Sequence, residues 1–390
     1  MTQHIIHHLH LLPLAWWLIA AVLSCFFVAN YLWWVGPVRQ TDYCPNVLLI
    51  IPVRGVPKTL RALWHSLCQQ TYRPYRVVFA VESASDPAYA ALQSLDDGPP
   101  VEIIVAGPAV ERGQKVHNLL AALDTVRPTD SVIVFADADI APMADWLVRL
   151  VTPLSDPDTT VVSGYRWMVP ADGGWPSAFV CLANASVVTL PRWGIWNLAW
   201  GGSIAIRRRS LDELKVRQHW SQSVLDDLPL TRAVRLQGRQ VYCPYGALVP
   251  SPASFSWKEA IAFGRRQYLF VRWYVPHHWA LAAVGTTVPL LGWAFAIPLA
   301  VTGDRIAIGT ILAANAFDQV RATLRRRIPR KLWAIDHRDR MTWLDRWATP
   351  IWLAFHAAVI WSTLRGRSLT WGGRTYWVDS KRHVRRIVGH

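Results

Sequence analysis

An apolar run, Val132-Ile-Val-Phe-Ala, ends in Asp137-Ala-Asp139, two carboxylates one residue apart. Open α/β sheets bind ligands at the carboxyl ends of their strands. Paired carboxylates there can hold a hard cation, Mg²⁺ or Mn²⁺, whose remaining positions are filled by water and diphosphate oxygens. Such an ion would neutralise charge developing on a departing nucleoside diphosphate. The same two acids can equally be solvated loop residues that cap the next helix. A second pair, Asp226-Asp227, opens the stretch Leu-Pro-Leu-Thr-Arg232. Adjacent carboxylates at a helix start can be caps, or one can act as a general base whose pKa is raised by its neighbour.

Three further groups suit a phosphorylated ligand. Glu82 ends the run Val77-Val-Phe-Ala-Val, where a carboxylate can accept bonds from a base or ribose; Asp86, just before Pro87, can simply start a turn. Lys115 stands in Gly113-Gln-Lys115-Val-His-Asn118, a loop leading into a helix, where a cation and free N–H groups can meet phosphate. Alone it reads as a surface lysine. In Gly264-Arg265-Arg266-Gln267-Tyr-Leu269-Phe-Val-Arg272-Trp273, Arg265 and Arg272 are seven apart and fall near one helical face. Guanidinium groups suit bidentate phosphate recognition, although a basic cuff at lipid headgroups has the same pattern.

Positioning these groups calls for a parallel sheet. The runs at 46–53, 76–81, 101–105 and 131–136 are short, apolar and rich in β-branched residues, as buried strands are. Between them, 58–69 has helical spacing, with Leu60, Leu63, Trp64 and Leu67 on one side, and 115–123 is a second helical segment. Alternation of this kind predicts a mainly parallel, Rossmann-like sheet with helices on both faces.

Apolar segments flank that region. Residues 11–38 contain no Asp, Glu, Lys or Arg, enough for a spanning helix and too long for a cleaved signal core. Arg39, Arg54 and Lys58 follow it, which places the N-terminus outside and the following domain in the cytoplasm. Residues 273–303 are again uncharged. The apolar stretch 306–317 is too short to span unless 318–324 extends it, and 347–364 is just long enough. If 347–364 crosses, the basic tail beyond it lies outside, against the positive-inside rule. Either that segment is re-entrant or interfacial, or the segment from 306 is not a full crossing.

A net charge of +15 raises the question of nucleic acid, but the arginines flank apolar stretches and form no isolated basic domain. An anionic leaflet or a nucleotide diphosphate accounts for the charge as well, so no nucleic-acid partner is expected. The five cysteines, irregularly spaced and without a C-x-x-C pair, indicate neither a zinc site nor a disulfide framework. His4, His7, His8 and His10 could bind metal but have no carboxylate or thiolate partners in sequence.

Taken in order, these elements resemble glycosyltransferase family 2 and, more closely, family 21, the family of ceramide glucosyltransferase. The likeness runs from Ile51-Pro-Val-Arg-Gly-Val-Pro through the acidic motifs and Arg272-Trp273 to Leu369-Thr-Trp371-Gly-Gly-Arg374-Thr-Tyr376. It implies a GT-A fold, a nucleotide-sugar donor, a divalent metal and inversion at the anomeric carbon. By matching positions it implies Glu82 at the uridine, Asp137 and Asp139 at metal and diphosphate, Asp227 as general base, and Arg272 with Trp273 at the product phosphate. The sequence departs from the pattern in having Glu at 82, Asp226 where many relatives have Glu, and Leu269 in the last motif, where Gln267 or Arg266 can supply the contact.

The expectation is therefore an α/β GT-A cytosolic domain with N- and C-terminal transmembrane helices. Its parts are an anchor over 1–44, a glycosyltransferase domain over 45–272, and a membrane region with basic tail over 273–390. The expected activity is transfer from a UDP-hexose, such as UDP-glucose, to a hydroxyl of a ceramide-like lipid, diacylglycerol or hopanoid. The catalytic pair is Asp227 with Asp226. The donor is held by Glu82, Lys115, Asp137, Gln267, Arg272 and Trp273, and Mg²⁺ or Mn²⁺ by Asp137 and Asp139. A multi-pass protein of a bacterial inner membrane, catalytic at its cytoplasmic face, is the expected setting. A processive polysaccharide synthase, a polyisoprenyl-phosphate glycosyltransferase and a non-catalytic adaptor or transporter are the alternatives.

Overall fold

The computed structural model describes residues 11–37, 41–334 and 340–389. The four early histidines and Arg39 lie outside the described residues. The chain divides into a helical unit, comprising residues up to Val35, Met168–Pro191 and Pro252–Gly366, and a sheet unit of Gly36–Trp167, Arg192–Ser251 and Arg367–His390.

In the sheet unit, four parallel strands stand side by side: β1 (Val47–Pro52), β2 (Tyr75–Val81), β3 (Val101–Val105) and β4 (Val132–Ala136), in the order β3-β2-β1-β4. Beyond β4 come β5 (Val161–Ser163), β7 (Ser203–Arg207) and β8 (Val241–Tyr242), in the order β7-β5-β8; β7 is antiparallel to both β4 and β5. β6 (Tyr165–Pro170) and β9 (Leu248–Ala253) form a separate two-stranded ribbon.

Both faces of the large sheet are covered, which is why its strands read as unbroken apolar runs. Leu49, Ile51, Phe79, Val134 and Ala136 pack on one face against Leu63 and Leu67 of the helix Leu60–Cys68 and against Trp146 and Leu150. Leu48, Ile50, Val78, Ile133 and Phe135 pack on the other against Leu119 of the helix Gln114–Ala122, Trp220 and Val234. Alternate residues of each strand thus enter different cores.

The C-terminal residues add a three-stranded antiparallel sheet, β10 (Ser368–Trp371), β11 (Arg374–Val378) and β12 (Val384–Val388). Gly372 and Gly373, at φ +57° and +75°, form the two-residue turn between β10 and β11. Positive φ at both central positions is what such a tight hairpin requires, and glycine adopts it at least cost.

In the helical unit, Leu11–Trp34 (24 residues, about 36 Å) and Pro276–Val301 (26 residues, about 39 Å) are long and apolar enough to cross a bilayer. Trp17 packs at a tilt against Trp293, ring centres 4.6 Å apart, beside Gly292, where a Cβ would overlap the Trp17 side chain. The helix Arg305–Trp333 continues through the basic stretch, whereas Thr349–Trp361 has 13 residues, about 20 Å, short of a bilayer's hydrocarbon core of about 30 Å.

The division departs from the expected domain limits in two places. Residues 168–191 and 252–272, expected in the sheet domain, belong to the helical unit, because Phe179 of the apolar helix Trp175–Val188 packs edge-on against Trp257 (5.4 Å) and Phe355 (5.1 Å). Residues 367–390, expected in the membrane region, belong to the sheet unit, where Val384 N–H donates to the Gln222 carbonyl at 2.9 Å. The tail must therefore share whichever side of a bilayer the sheet unit occupies. Single cysteines at the exposed positions Asp158 and Ser380, in a Cys-free background, are expected to react with an impermeant thiol reagent from the same side of sealed vesicles. Labelling from opposite sides would overturn this placement of the tail.

Candidate active site

The site is assembled at the ends of β4 and β2 and at the start of the helix Asp227–Leu236. Asp137 follows β4 directly. Lys115, the second residue of the helix Gln114–Ala122, reaches Asp137 Oδ1 at 2.7 Å and Asp226 Oδ2 at 3.2 Å, and its Nζ also donates to the Gly201 carbonyl at 3.2 Å. It is no surface lysine, since its side chain is only 15% exposed. Two carboxylates far apart in sequence are thus joined through one buried ammonium.

Asp227 sits beside this link. Its Oδ2 accepts from Gly201 N–H at 3.2 Å and its Oδ1 from Leu228 N–H at 2.7 Å. Asp226 is buried, makes no side-chain capping bond, and its carbonyl accepts from Trp220 Nε1 at 2.8 Å. The capping alternative for Asp226 is therefore not what the structure shows. Asp86, by contrast, does cap, accepting from Ala88 N–H at 2.8 Å and from Gly55 N–H at 2.9 Å.

Burial and charge set the protonation of the group. Burial works against the Lys115 ammonium, but Asp137, Asp226 and Asp227 outweigh it and raise its pKa. Burial likewise pushes Asp137 upward, and Lys115 and Arg166 more than reverse this, leaving it below the usual carboxylate range. Asp226 is raised by burial in spite of Lys115. Asp227 is pushed up to about 7, first by burial and then by the charge of Asp226. A base that titrates near neutrality is suited to proton abstraction.

Asp139 is more open, at 57% exposure of its side chain. Arg166 bridges the two strand-end acids, 3.3 Å from Asp137 Oδ2 and 3.2 Å from Asp139 Oδ1, and its guanidinium lies 4.8 Å from the centre of the Trp200 ring. Among the described residues no third His, Cys, Asp or Glu joins them. Two carboxylates, with water and phosphate oxygens supplying the rest, is a donor set that Mg²⁺ or Mn²⁺ accepts; the residues fit such an ion, which must share the carboxylates with Arg166.

Sequence reasoning missed Arg166 and the loop Trp200-Gly201-Gly202. Nothing in Tyr-Arg166-Trp marks it as functional. The paired glycines ahead of β7 are a usable signal of close approach. A Cβ on Gly201 would overlap the Asp226 carboxylate and lie 2.7 Å from Lys115 Nζ, and one on Gly202 would overlap the Trp200 ring and lie 2.7 Å from Asp137 Oδ2.

Glu82 follows β2 and forms an ion pair with Arg374 of β11. These two residues line a cleft of about 650 Å³ with Arg54, Ser83, Asp86 and Gly373. Gln267, Arg272 and Trp273 belong to the helical unit, on the helix Trp257–Tyr274. There Arg272 donates to the Leu364 carbonyl at 2.8 Å and to the Gly366 carbonyl, and Trp273 Nε1 to the same Gly366 oxygen at 3.2 Å.

No curated protein sequence matches the chain. Among solved structures, a mannosyltransferase from Pyrobaculum calidifontis in complex with GDP-Man and Mn²⁺ superposes with a TM-score of 0.50 at 16% identity, covering 89% of this chain and 99% of that one. It shows a shared fold, the mixed α/β arrangement of the GT-A type. A glucosyl-3-phosphoglycerate synthase from Mycobacterium tuberculosis (TM-score 0.36, 14% identity, 58% and 78% covered) and GalNAc-T7 (0.42, 13%, 65% and 54%) match less well. The sequence profile of glycosyl transferase family 21 matches residues 15–384, nearly the whole length, and the chain belongs to that family of glycosyltransferases.

Proposed function

We propose that the chain is an inverting, membrane-bound glycosyltransferase that moves a hexose from a UDP-sugar, such as UDP-glucose, to the hydroxyl of a membrane lipid at the cytoplasmic leaflet. A ceramide-like lipid, diacylglycerol or hopanoid supplies such a hydroxyl. The observation that carries the reading is the Lys115 bridge, which sets a carboxylate titrating near 7 beside a strand-end acid pair. The two long apolar helices support the membrane setting, and Arg54 and Lys58, following the first of them, support a cytoplasmic sheet unit.

The donor's extent matches the sheet. Glu82 and Asp137 end β2 and β4, with β1 between them, so two strand spacings of about 4.8 Å separate their backbones by about 10 Å. A nucleoside diphosphate can bridge that span, its base at Glu82 and its diphosphate at Asp137 and Asp139. A divalent ion held by these two acids supplies electrostatic stabilisation of the leaving diphosphate. Asp227 accepts the proton of the acceptor hydroxyl. The freed oxygen attacks the anomeric carbon as the bond to the diphosphate oxygen breaks, and UDP leaves with the electron pair. Lys115 and Arg166 keep positive charge at the diphosphate end throughout, fixed in place by their carboxylate partners.

Because Asp227 must be ionised to act, transfer is expected to rise with pH through about 7 and to fall away below it. Asp227→Asn should lower kcat by about 10²- to 10⁴-fold while UDP affinity holds. If UDP binding falls as far as turnover, Asp227 belongs to the donor pocket and is not the base.

Lys115 lowers the pKa of Asp227, so Lys115→Gln should move the acidic limb of the pH–rate profile to higher pH. An unmoved limb, with only the maximal rate reduced, would show that Lys115 does not govern the base.

Asp139→Asn is expected to weaken Mn²⁺-dependent UDP binding and turnover together, and EDTA to abolish transfer of labelled hexose to extracted lipid. Unchanged UDP affinity and turnover in EDTA would remove the metal from the mechanism.

A further inference from the structure

The nucleoside end of the cleft has a wall from the far end of the chain. Arg374 is only 5% exposed. Its Nη2 donates to Glu82 Oε1 and its Nη1 to Gln114 Oε1 at 2.6 Å. Gln114 is itself fixed, with Nε2 donating to the Gly107 carbonyl and to Asn118 Oδ1, both at 2.8 Å, and Oε1 accepting from Ala109 N–H at 2.8 Å. Within the Gly372-Gly373 turn, the Gly372 carbonyl accepts from Arg54. The hairpin is thus tied to the cleft at two points, and one of them is the carboxylate assigned to the base.

We propose that Arg374 is a positioning residue that sets the base selectivity of the donor site, an inference that rests on the donor reading above. A free carboxylate presents two oxygens side by side and pairs well with two adjacent donors. Guanine offers such a pair in N1–H and its exocyclic amine; uracil offers a single N3–H. Arg374 occupies Oε1 of Glu82, and among the described residues Oε2 takes no hydrogen bond. One open oxygen suits one N–H. Guanine's second donor would be brought against the guanidinium, donor facing donor, which is selection by repulsion as much as by attraction. Glu82 remains partly open to the cleft, at 18% exposure of its side chain, while Arg374 is buried behind it, so the ligand meets the carboxylate and the arginine decides how much of it is on offer.

The test is nucleotide binding to the purified full-length protein in detergent with Mn²⁺, measured for UDP and GDP by calorimetry. The intact protein is expected to bind UDP at least about tenfold more tightly than GDP, the scale on which a site rejects a mismatched donor pattern. Arg374→Ala should weaken UDP by about tenfold and bring the UDP/GDP ratio close to one. Arg374→Lys, which keeps a donor to Glu82, should restore much of the ratio. The ratio, taken on one preparation, does not depend on the fraction of protein that is folded. Equal weakening of both nucleotides by Arg374→Ala, with the ratio unchanged, would make Arg374 a structural strut and overturn the inference while sparing the donor site. A preference of the intact protein for GDP would also overturn it. Failure of the intact protein to bind either nucleotide would remove the donor reading itself, and this inference with it.

Discussion

One ammonium group holds the site together. Lys115 lies among Asp137, Asp226 and Asp227, three carboxylates that come from the end of a strand and the start of a helix about 90 residues further on. Charges this close in a poorly hydrated space interact several-fold more strongly than they would in water. Without the lysine the carboxylates would repel one another, and burial would shift each toward its protonated form. Beside it, Asp137 is held below the usual carboxylate range, whereas burial and then the charge of Asp226 push Asp227 up to about 7 in spite of the lysine. Gly201 and Gly202 make the geometry attainable, since a Cβ at Gly201 would overlap the Asp226 carboxylate and one at Gly202 the Trp200 ring beside Asp137.

The same economy of charge explains Arg166. Asp137 and Asp139 together carry two negative charges at one strand end, and a guanidinium spanning them lowers their mutual repulsion before any ligand arrives. Its stacking on Trp200 holds the planar group where both acids can reach it. A cation arriving with a diphosphate would meet carboxylates already paired with Arg166, and would displace or share contacts of 3.2 to 3.4 Å.

Much of this was legible in the sequence. The apolar runs of β1, β2 and β4 are buried on both faces and so carry their signal in composition alone, and the acids that follow them appear where a strand has just ended. Asp226 and Asp227 stand out in the sequence because two carboxylates at the head of an apolar helix are conspicuous. Arg166 was not, because it lies in the short ribbon strand β6, whose partner β9 is about 80 residues away, and no local pattern announces which acid an arginine will meet. The tail posed a different problem. Tyr376 and Arg374 were visible as a motif, but their destination depended on whether the apolar segment before them crosses a bilayer, and hydropathy cannot distinguish an 18-residue apolar stretch from a helix of 13 residues followed by a turn. Unit membership is likewise not a local property: Trp175–Val188 is apolar without a strand's alternation, and only its packing shows which unit it joins.

The long helix Arg305–Trp333 shows how a charged network can end an apolar segment without ending the helix. Its apolar stretch at 306–317 is about 18 Å long, and the next turns bring Asp318, Arg321 and Arg325 to one side. Asp345 accepts from both arginines, at 3.1 and 2.7 Å, and Arg321 also pairs with Asp318 at 2.6 Å and donates to Thr349 Oγ1 at 3.0 Å. All four charged groups are buried. Removing such charges from water is costly, and it is tolerated only where every member is paired, so the network fixes how the helix Arg340–Trp347 packs on this one more strictly than an apolar contact would. The charges that interrupt the apolar segment thus face the protein interior, and among the described residues Leu11–Trp34 and Pro276–Val301 are the helices long and apolar enough to cross a bilayer.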